Sequence, residues 1–244
     1  MFDTDTIAET GDTGGYRRPI ALRATDLLET MITREFAGRI ALVSSFEVEA
    51  AVLLDLVTRV DRDTSVIFID IGQLFPETFG YRDRLVEHCG LTNIRTIEPD
   101  AELVASRDGD GSLWPRDPDA CCTLRKVAPL EAALLGFDAW ISGRKRFHGD
   151  GRKSLETIED DGERAKINPL AHWTEADIER HMMLHDLPRH PLAAEGFASL
   201  GCQTCTRRIV AGESVRDGRW TGMEKTECGI HLSGGSFVRG DVGR

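Results

Sequence analysis

Residues 39–70 read RIALVSSFEVEAAVLLDLVTRVDRDTSVIFID, and this stretch decides the fold class. Arg39 to Ser44 is a short apolar run ending in two serines, Val48 to Val57 carries the apolar residues of a buried helix face, and Val66 to Asp70 is a second apolar run. Short apolar strands separated by helices of about ten residues or more are the mark of parallel βαβ units. The alternation continues outward. Glu77 to His88 reads as a helix, Asn93 to Ile97 as a third strand, Cys121 to Leu135 as a helix, and Ala139 to Ser142 as a fourth strand ending at Gly143. On the N-terminal side Leu22, Leu27, Leu28, Met31 and Ile32 recur at helical spacing; far downstream Thr174 is the expected N-cap of a helix reaching about His185. The expected architecture is α/β, a doubly wound, mostly parallel sheet, in which ligands bind at the carboxyl ends of the strands. Four segments fall at or near such ends: Ser44-Ser45-Phe46, Asp70-Ile71-Gly72, the stretch from Asp117 to Cys122, and Gly143-Arg144-Lys145-Arg146.

At 244 residues, with 41% apolar and 29% charged content, the chain can bury a full core as one domain with a C-terminal extension. Residues 1–19 are polar and without period and are expected to be a disordered leader. Residues 20–210 are expected to form the α/β domain, and 211–244, rich in Gly and charge, a tail that stays mobile unless a ligand orders it. The formal charge of −11 argues against a nucleic-acid binder, whose affinity comes from clustered Lys and Arg. A small anionic ligand remains open if cations gather locally. No apolar run approaches a membrane span and the N-terminus lacks signal-peptide character, so cytoplasmic residence without membrane contact is expected.

Six cysteines in a reducing compartment point to metal binding or catalysis sooner than to disulfides. Cys121 and Cys122 are adjacent, Cys202 and Cys205 form Cys-x-x-Cys about eighty residues later, Cys228 stands near the end, and Cys89 reads as a small core residue. Four thiolates suit tetrahedral zinc or a cubane cluster. Adjacent helical residues project about 100° apart, which is awkward for one small ion and easier for the separate iron corners of a cubane. Zinc and buried structural thiols remain the alternatives. Lys126, four residues after Cys122, shares that cysteine's helical face and brings a cation beside the thiols.

Cys121-Cys122-Thr-Leu-Arg125-Lys126, Gly201-Cys202-Gln-Thr-Cys205 and Lys225-Thr-Glu227-Cys228-Gly229-Ile-His231 together carry a resemblance, joined by Phe68-Ile-Asp70-Ile-Gly72-Gln-Leu-Phe75-Pro-Glu77-Thr78 and Gly143-Arg144-Lys145-Arg146-Phe147. From about residue 20 to 232 the sequence resembles the bacterial assimilatory adenylyl-sulfate reductases, the iron-sulfur branch of the sulfonucleotide reductase family. The resemblance implies an adenine nucleotide alpha hydrolase-like fold with a modified PP-loop. It also implies one 4Fe-4S cluster per chain on Cys121, Cys122, Cys202 and Cys205, and a homo-oligomer. The implied reaction reduces adenosine 5'-phosphosulfate to sulfite and AMP, in sulfate assimilation toward cysteine, with thioredoxin or glutaredoxin as reductant. Cys228 matches the nucleophile; Ser44, Ser45, Ile69, Lys126, Gly143, Arg216 and Arg219 match substrate contacts, and the strand-end position adds Arg144. A reductase for the 3'-phosphorylated nucleotide is the neighbouring alternative. An ATP-dependent tRNA-thiolating enzyme would need an intact Ser-Gly-Gly-x-Asp-Ser loop, which this chain lacks. Two departures stand out: Glu47 replaces the glycine that usually follows Ser-Phe, and Asp70-Ile71-Gly72 replaces Asp-Thr-Gly.

Overall fold

The computed structural model describes residues 20–231 apart from Asp161. The expected leader and the last part of the tail, 232–244, lie outside the described residues. Six strands form one sheet: β1 (Ile40–Val43), β2 (Ser65–Ile69), β3 (Ile94–Ile97), β4 (Ala139–Ile141), β5 (Ile158–Asp160) and β6 (Ala165–Ile167), in the order β3-β2-β1-β4-β6-β5. Every pairing is parallel except β5 with β6. The strand order reverses between β1 and β4, which creates a crevice at their carboxyl ends.

Side chains alternate across the two central strands, as the period-2 geometry of a strand requires. Ile40, Leu42, Val66 and Phe68 enter a core with α1 (Ile20–Thr30), α2 (Ala50–Val60), α3 (Pro76–Cys89) and α8 (Glu175–Leu184). Ala41 and Ile67 face the other way, onto Leu130, Ala133, Leu134 and Trp140 around α7 (Ala128–Ala133). Both faces are therefore covered. Helix α3 opens with Pro76 at its first turn and ends at Gly90, whose φ of 65° lets its N–H return to the carbonyls of the last turn. Helix α8 starts with a capping box between Thr174 and Asp177. Asp55 fastens α2 to α8, accepting from His181 Nε2 and Arg59 Nε at 2.8 Å each, while Arg59 Nη2 meets His185 Nδ1 at 2.9 Å.

The helix expected from Cys121 to Leu135 starts earlier, as α6 (Pro118–Cys122), and passes through a widened π turn at Thr123–Val127 before α7. Pro129 accounts for the irregularity, because it has no N–H to return to the Arg125 carbonyl four residues back. The sheet has two strands beyond the four expected. β5 and β6 are three residues each, read Ile-Glu-Asp and Ala-Lys-Ile, and are too short and charged to show a period. Two further short helices, α4 (Ala101–Asp108) and α5 (Leu113–Arg116), lead into the cysteine segment.

Candidate functional site

Three loops at the carboxyl edge of the sheet frame a cleft. After β1, the Ser44 hydroxyl accepts from the Phe46 N–H at 3.2 Å; Phe46 is buried with φ at 50° and packs edge-on against Phe68. Phe46 thus takes up the left-handed conformation, and Glu47 reaches to 3.9 Å from Arg219 Nη1. After β2, Gly72 takes φ of 70° and donates its N–H to Asp70 at 2.9 Å. After β4, Ser142 accepts from the Arg144 N–H, Arg144 pairs with Glu159 at 2.9 Å, and Lys145 pairs with Glu49 at 2.6 Å. Arg146 leaves the cleft and donates to the Leu155 carbonyl.

The cysteine segments meet at one rim of this cleft. Arg125, buried in the π turn, donates to the Ile71 carbonyl at 2.9 Å and grips buried Asp108 with Nε and Nη2 at 2.9 and 2.7 Å. That pair ties the helix bearing Cys121 and Cys122 to the end of β2. On the other side Gln203 N donates to Gln73 O at 2.8 Å, and Cys205 N to Cys202 O at 3.1 Å, in a tight 3-10 turn. Cys122, Cys202, Cys205 and Cys228 pack together with Ile71 and Trp220, and Cys121 is buried alongside, close enough to sense Cys202. All six thiols are free. Among the described residues, the one trio of His, Cys, Asp or Glu ligand atoms mutually within 4.8 Å is Asp55, His181 and His185. Two thiol pairs lie within hydrogen-bond reach, Cys202 with Cys205 and Cys122 with Cys228.

The cleft encloses about 180 Å³. Ser44, Ser45, Ile69, Lys126, Gly143, Arg144, Arg216 and Arg219, the eight residues expected to contact substrate, all line it, as does Cys228. Lys145 and Arg152 bring the lining cations to six, against three carboxylates from Glu47, Glu49 and Glu227. A chain carrying −11 overall has therefore gathered local positive charge, which suits an anion. Arg219 and Arg216 stack on Trp220 at 4.5 and 5.5 Å from the ring centroid. Arg219 also donates to the Leu200 carbonyl. Its guanidinium passes so close to Gly201 that a Cβ there would collide with it.

The thiols and Lys126 act on one another electrostatically. Burial works against the Lys126 charge, but Cys202, Cys228 and Cys122 hold its pKa above the ordinary value. Cys228 titrates low because the Cys122 thiol donates to it and Lys126 lies near, which together outweigh its burial. Cys122 moves up in return. Glu49 is held down to about 2: burial opposes this, and the contacts from His148 and Lys145 overcome it.

Several of these residues went unanticipated. Arg152, buried in a 3-10 turn, donates to Glu227 of the tail; its only signal was its place in the same Gly-rich loop as Arg144 and Lys145. The Asp108–Arg125 pair gave none, since its members lie 17 residues apart. Cys89 lies in the core beside α2, away from the other thiols. Residues 211–231 fold over the rim, and His231 is half-buried with its ring stacked on Trp140.

A doubly wound sheet with a serine loop, a basic cleft at the switch point and a cysteine closing over it defines an adenine-nucleotide-type α/β fold fitted for anion and thiol chemistry. The chain belongs to the family of the phosphoadenosine phosphosulfate reductase domain, whose model matches residues 39–208. It is 47% identical over 213 residues to a Mesorhizobium japonicum protein named adenosine 5'-phosphosulfate reductase, covering 87% of this chain and 84% of that one. It is 39% identical over 199 residues to the Bacillus subtilis adenosine 5'-phosphosulfate reductase 1, covering 80% and 85%. In fold it is similar to the phosphoadenylyl-sulfate reductase of Candida auris, with a TM-score of 0.64 at 24% identity over 81% of this chain and all of that one. It is also similar to yeast FAD synthetase, with a TM-score of 0.52 at 16% identity over 80% and 70%. Among the described residues no helix is long and apolar enough to cross a membrane.

Proposed function

We propose that this chain reduces adenosine 5'-phosphosulfate to sulfite and AMP, using thioredoxin or a similar dithiol protein as electron donor. The observation that carries the reading is Cys228 lying in a cleft lined by Lys126, Arg144, Arg216 and Arg219. Relatives named adenosine 5'-phosphosulfate reductase support that nucleotide over its 3'-phosphorylated form. Sulfate assimilation in the cytoplasm and self-association belong to the same proposal and rest on the resemblance.

The chemistry must bring a thiolate onto a sulfur that already bears negative oxygens. One like-charge pair at ~4 Å costs on the order of 4 kcal/mol at an effective dielectric near 20. The cations lining the cleft offset this. Arg216 and Arg219 make forked contacts to phosphate and sulfate oxygens, and Lys126 stands between thiol and substrate. The Cys228 thiolate attacks the sulfate sulfur, the bond from that sulfur to the bridging phosphate oxygen breaks, and AMP leaves with the electron pair. The tail then carries a Cys228 S-sulfonate. A dithiol donor attacks the Cys228 sulfur and releases sulfite, and its second thiol resolves the mixed disulfide, so two thiols supply the two electrons.

One 4Fe-4S cluster per chain belongs to this proposal, held by Cys121, Cys122, Cys202 and Cys205. The donor chemistry fits: four free, buried thiols from two segments, with Lys126 close enough to interact with Cys202 and Cys122. Bound there, it would supply an anchor for both segments and a local charge, with no electron passing to substrate. With Cys122 committed as a ligand, its proton no longer supports the Cys228 thiolate, and Lys126 with the Ile230 N–H carries that task. Anaerobic purification with iron and sulfide analysis, followed by sulfite assays on both nucleotides, tests the reading. Cys228→Ser should keep its iron and yield no sulfite in a single turnover; release at the wild-type rate would show the nucleophile to be wrong.

A further inference from the structure

Residues 225–231 cross the cleft as a strap fastened mainly by charge. Lys225 meets Asp119 in the segment leading to Cys121, and Arg216 Nη2 donates to the Thr226 carbonyl at 2.9 Å. Glu227 lies between two guanidiniums: Arg152 donates to its carboxylate through both Nε and Nη2, the second at 2.7 Å, and Arg216 Nη2 stands 3.4 Å away. The Arg152 and Glu227 side chains are 6% and 15% exposed, so this is a desolvated, two-point contact. The next residue in the chain is Cys228.

We infer that Glu227 is the positioning residue for the Cys228 thiol, and that it holds the thiol by occupying guanidinium donors that otherwise face the anionic nucleotide. This rests on the reading of Cys228 as nucleophile and of the cleft as the nucleotide site. Two consequences of opposite sign follow from the geometry. The carboxylate seats the strap, so losing its charge frees the thiol to wander and slows its attack. The same carboxylate satisfies Arg152 and adds negative charge to the cleft, so losing it makes both guanidiniums more available to a phosphate. A residue serving only to stabilise the fold would lower both binding and turnover.

The test uses cluster-loaded, full-length protein and the variant Glu227→Gln, which keeps the side-chain shape. Tryptic peptide 226–239 contains Cys228 as its sole cysteine, so iodoacetamide labelling followed by mass spectrometry reads strap opening directly. A buried charged hydrogen bond of this kind predicts labelling about tenfold faster in Glu227→Gln. AMP, titrated calorimetrically, should bind several-fold more tightly to that variant, while single-turnover S-sulfonation of Cys228 slows about tenfold. Combining Glu227→Gln with Arg152→Lys should give labelling no faster than either change alone, because both open the same contact. Wild-type labelling in Glu227→Gln, weaker AMP binding, or additive effects in the double variant would each overturn the assignment. Should the wild-type protein form no sulfite from either nucleotide, the proposed activity fails, while the labelling and AMP measurements still judge the strap.

Discussion

Replacing Arg125 by Met removes the tie between the cysteine helix and the sheet. Arg125 spans three elements, gripping Asp108 with two nitrogens and the Ile71 carbonyl with a third. The Asp108 side chain is fully buried, and in Arg125→Met its carboxylate retains the Leu113 N–H at 2.7 Å as its hydrogen-bond donor. Removing one partner of a buried pair costs about 3–5 kcal/mol, because the remaining charge stays desolvated without compensation. A chain of this size loses roughly 2–4 °C of melting temperature per kcal/mol, so a drop of about 6–20 °C is expected. Matched anaerobic melts followed by circular dichroism at one scan rate give the comparison, since loss of the proposed cluster would make such unfolding irreversible. Adding Asp108→Asn removes the stranded charge while still accepting from Leu113, and should recover about 2 kcal/mol of the loss. Iron content should fall in Arg125→Met and partly return in the double variant. A melting temperature within 2 °C of wild type for Arg125→Met, or no recovery on adding Asp108→Asn, would refute the view that this pair holds the thiol segment in place.

Further expectations concern acid stability and the Gly201 contact. Asp55 has its pKa lowered from 3.8 to about 2; burial pushes the other way, but His181 and Arg59 hydrogen-bond the charged form. A depressed carboxylate contributes stability above its unfolded pKa and loses it as pH falls through the folded one. The melting advantage of wild type over Asp55→Asn, on the order of 2 kcal/mol, should therefore hold above pH ~4 and disappear by pH ~2. Gly201→Ala should displace the Arg219 guanidinium and weaken AMP binding about tenfold, read by calorimetry, with a far-ultraviolet spectrum unchanged from wild type.

The central sheet was legible because each strand there is buried on both faces, so Ile40–Val43 and, within β2, Val66 to Ile69 stand out as unbroken apolar runs. β5 and β6 pair at the sheet margin, where Glu159 and Lys166 are tolerated, and their identity comes from pairing rather than from pattern. The cleft was readable where function needs rare residue types close together, as in Cys121-Cys122 and Gly143-Arg144-Lys145. It was unreadable where partners are ordinary and far apart in the chain: Arg152 and Glu227 are 75 residues apart, and each alone looks like a solvated charge. Glu47 shows the limit from the other side. Its type suggested a departure from the glycine pattern, but its company with Arg219 depends on a loop shape set by the preceding residue, Phe46, packed against Phe68.

The two thiol pairs are separated by about eighty residues, a span that contains β4, β5, β6 and α8. A group bridging both pairs would close that span like a covalent cross-link, and a loop of this length forfeits about 4–5 kcal/mol of unfolded-state freedom on closure. Were the proposed cluster to bridge both pairs, full capture would have to wait until Cys205 had emerged from the ribosome, by which point β1 to β6 have all been synthesised. Protein from an iron-starved culture should accordingly melt at lower temperature than iron-replete protein.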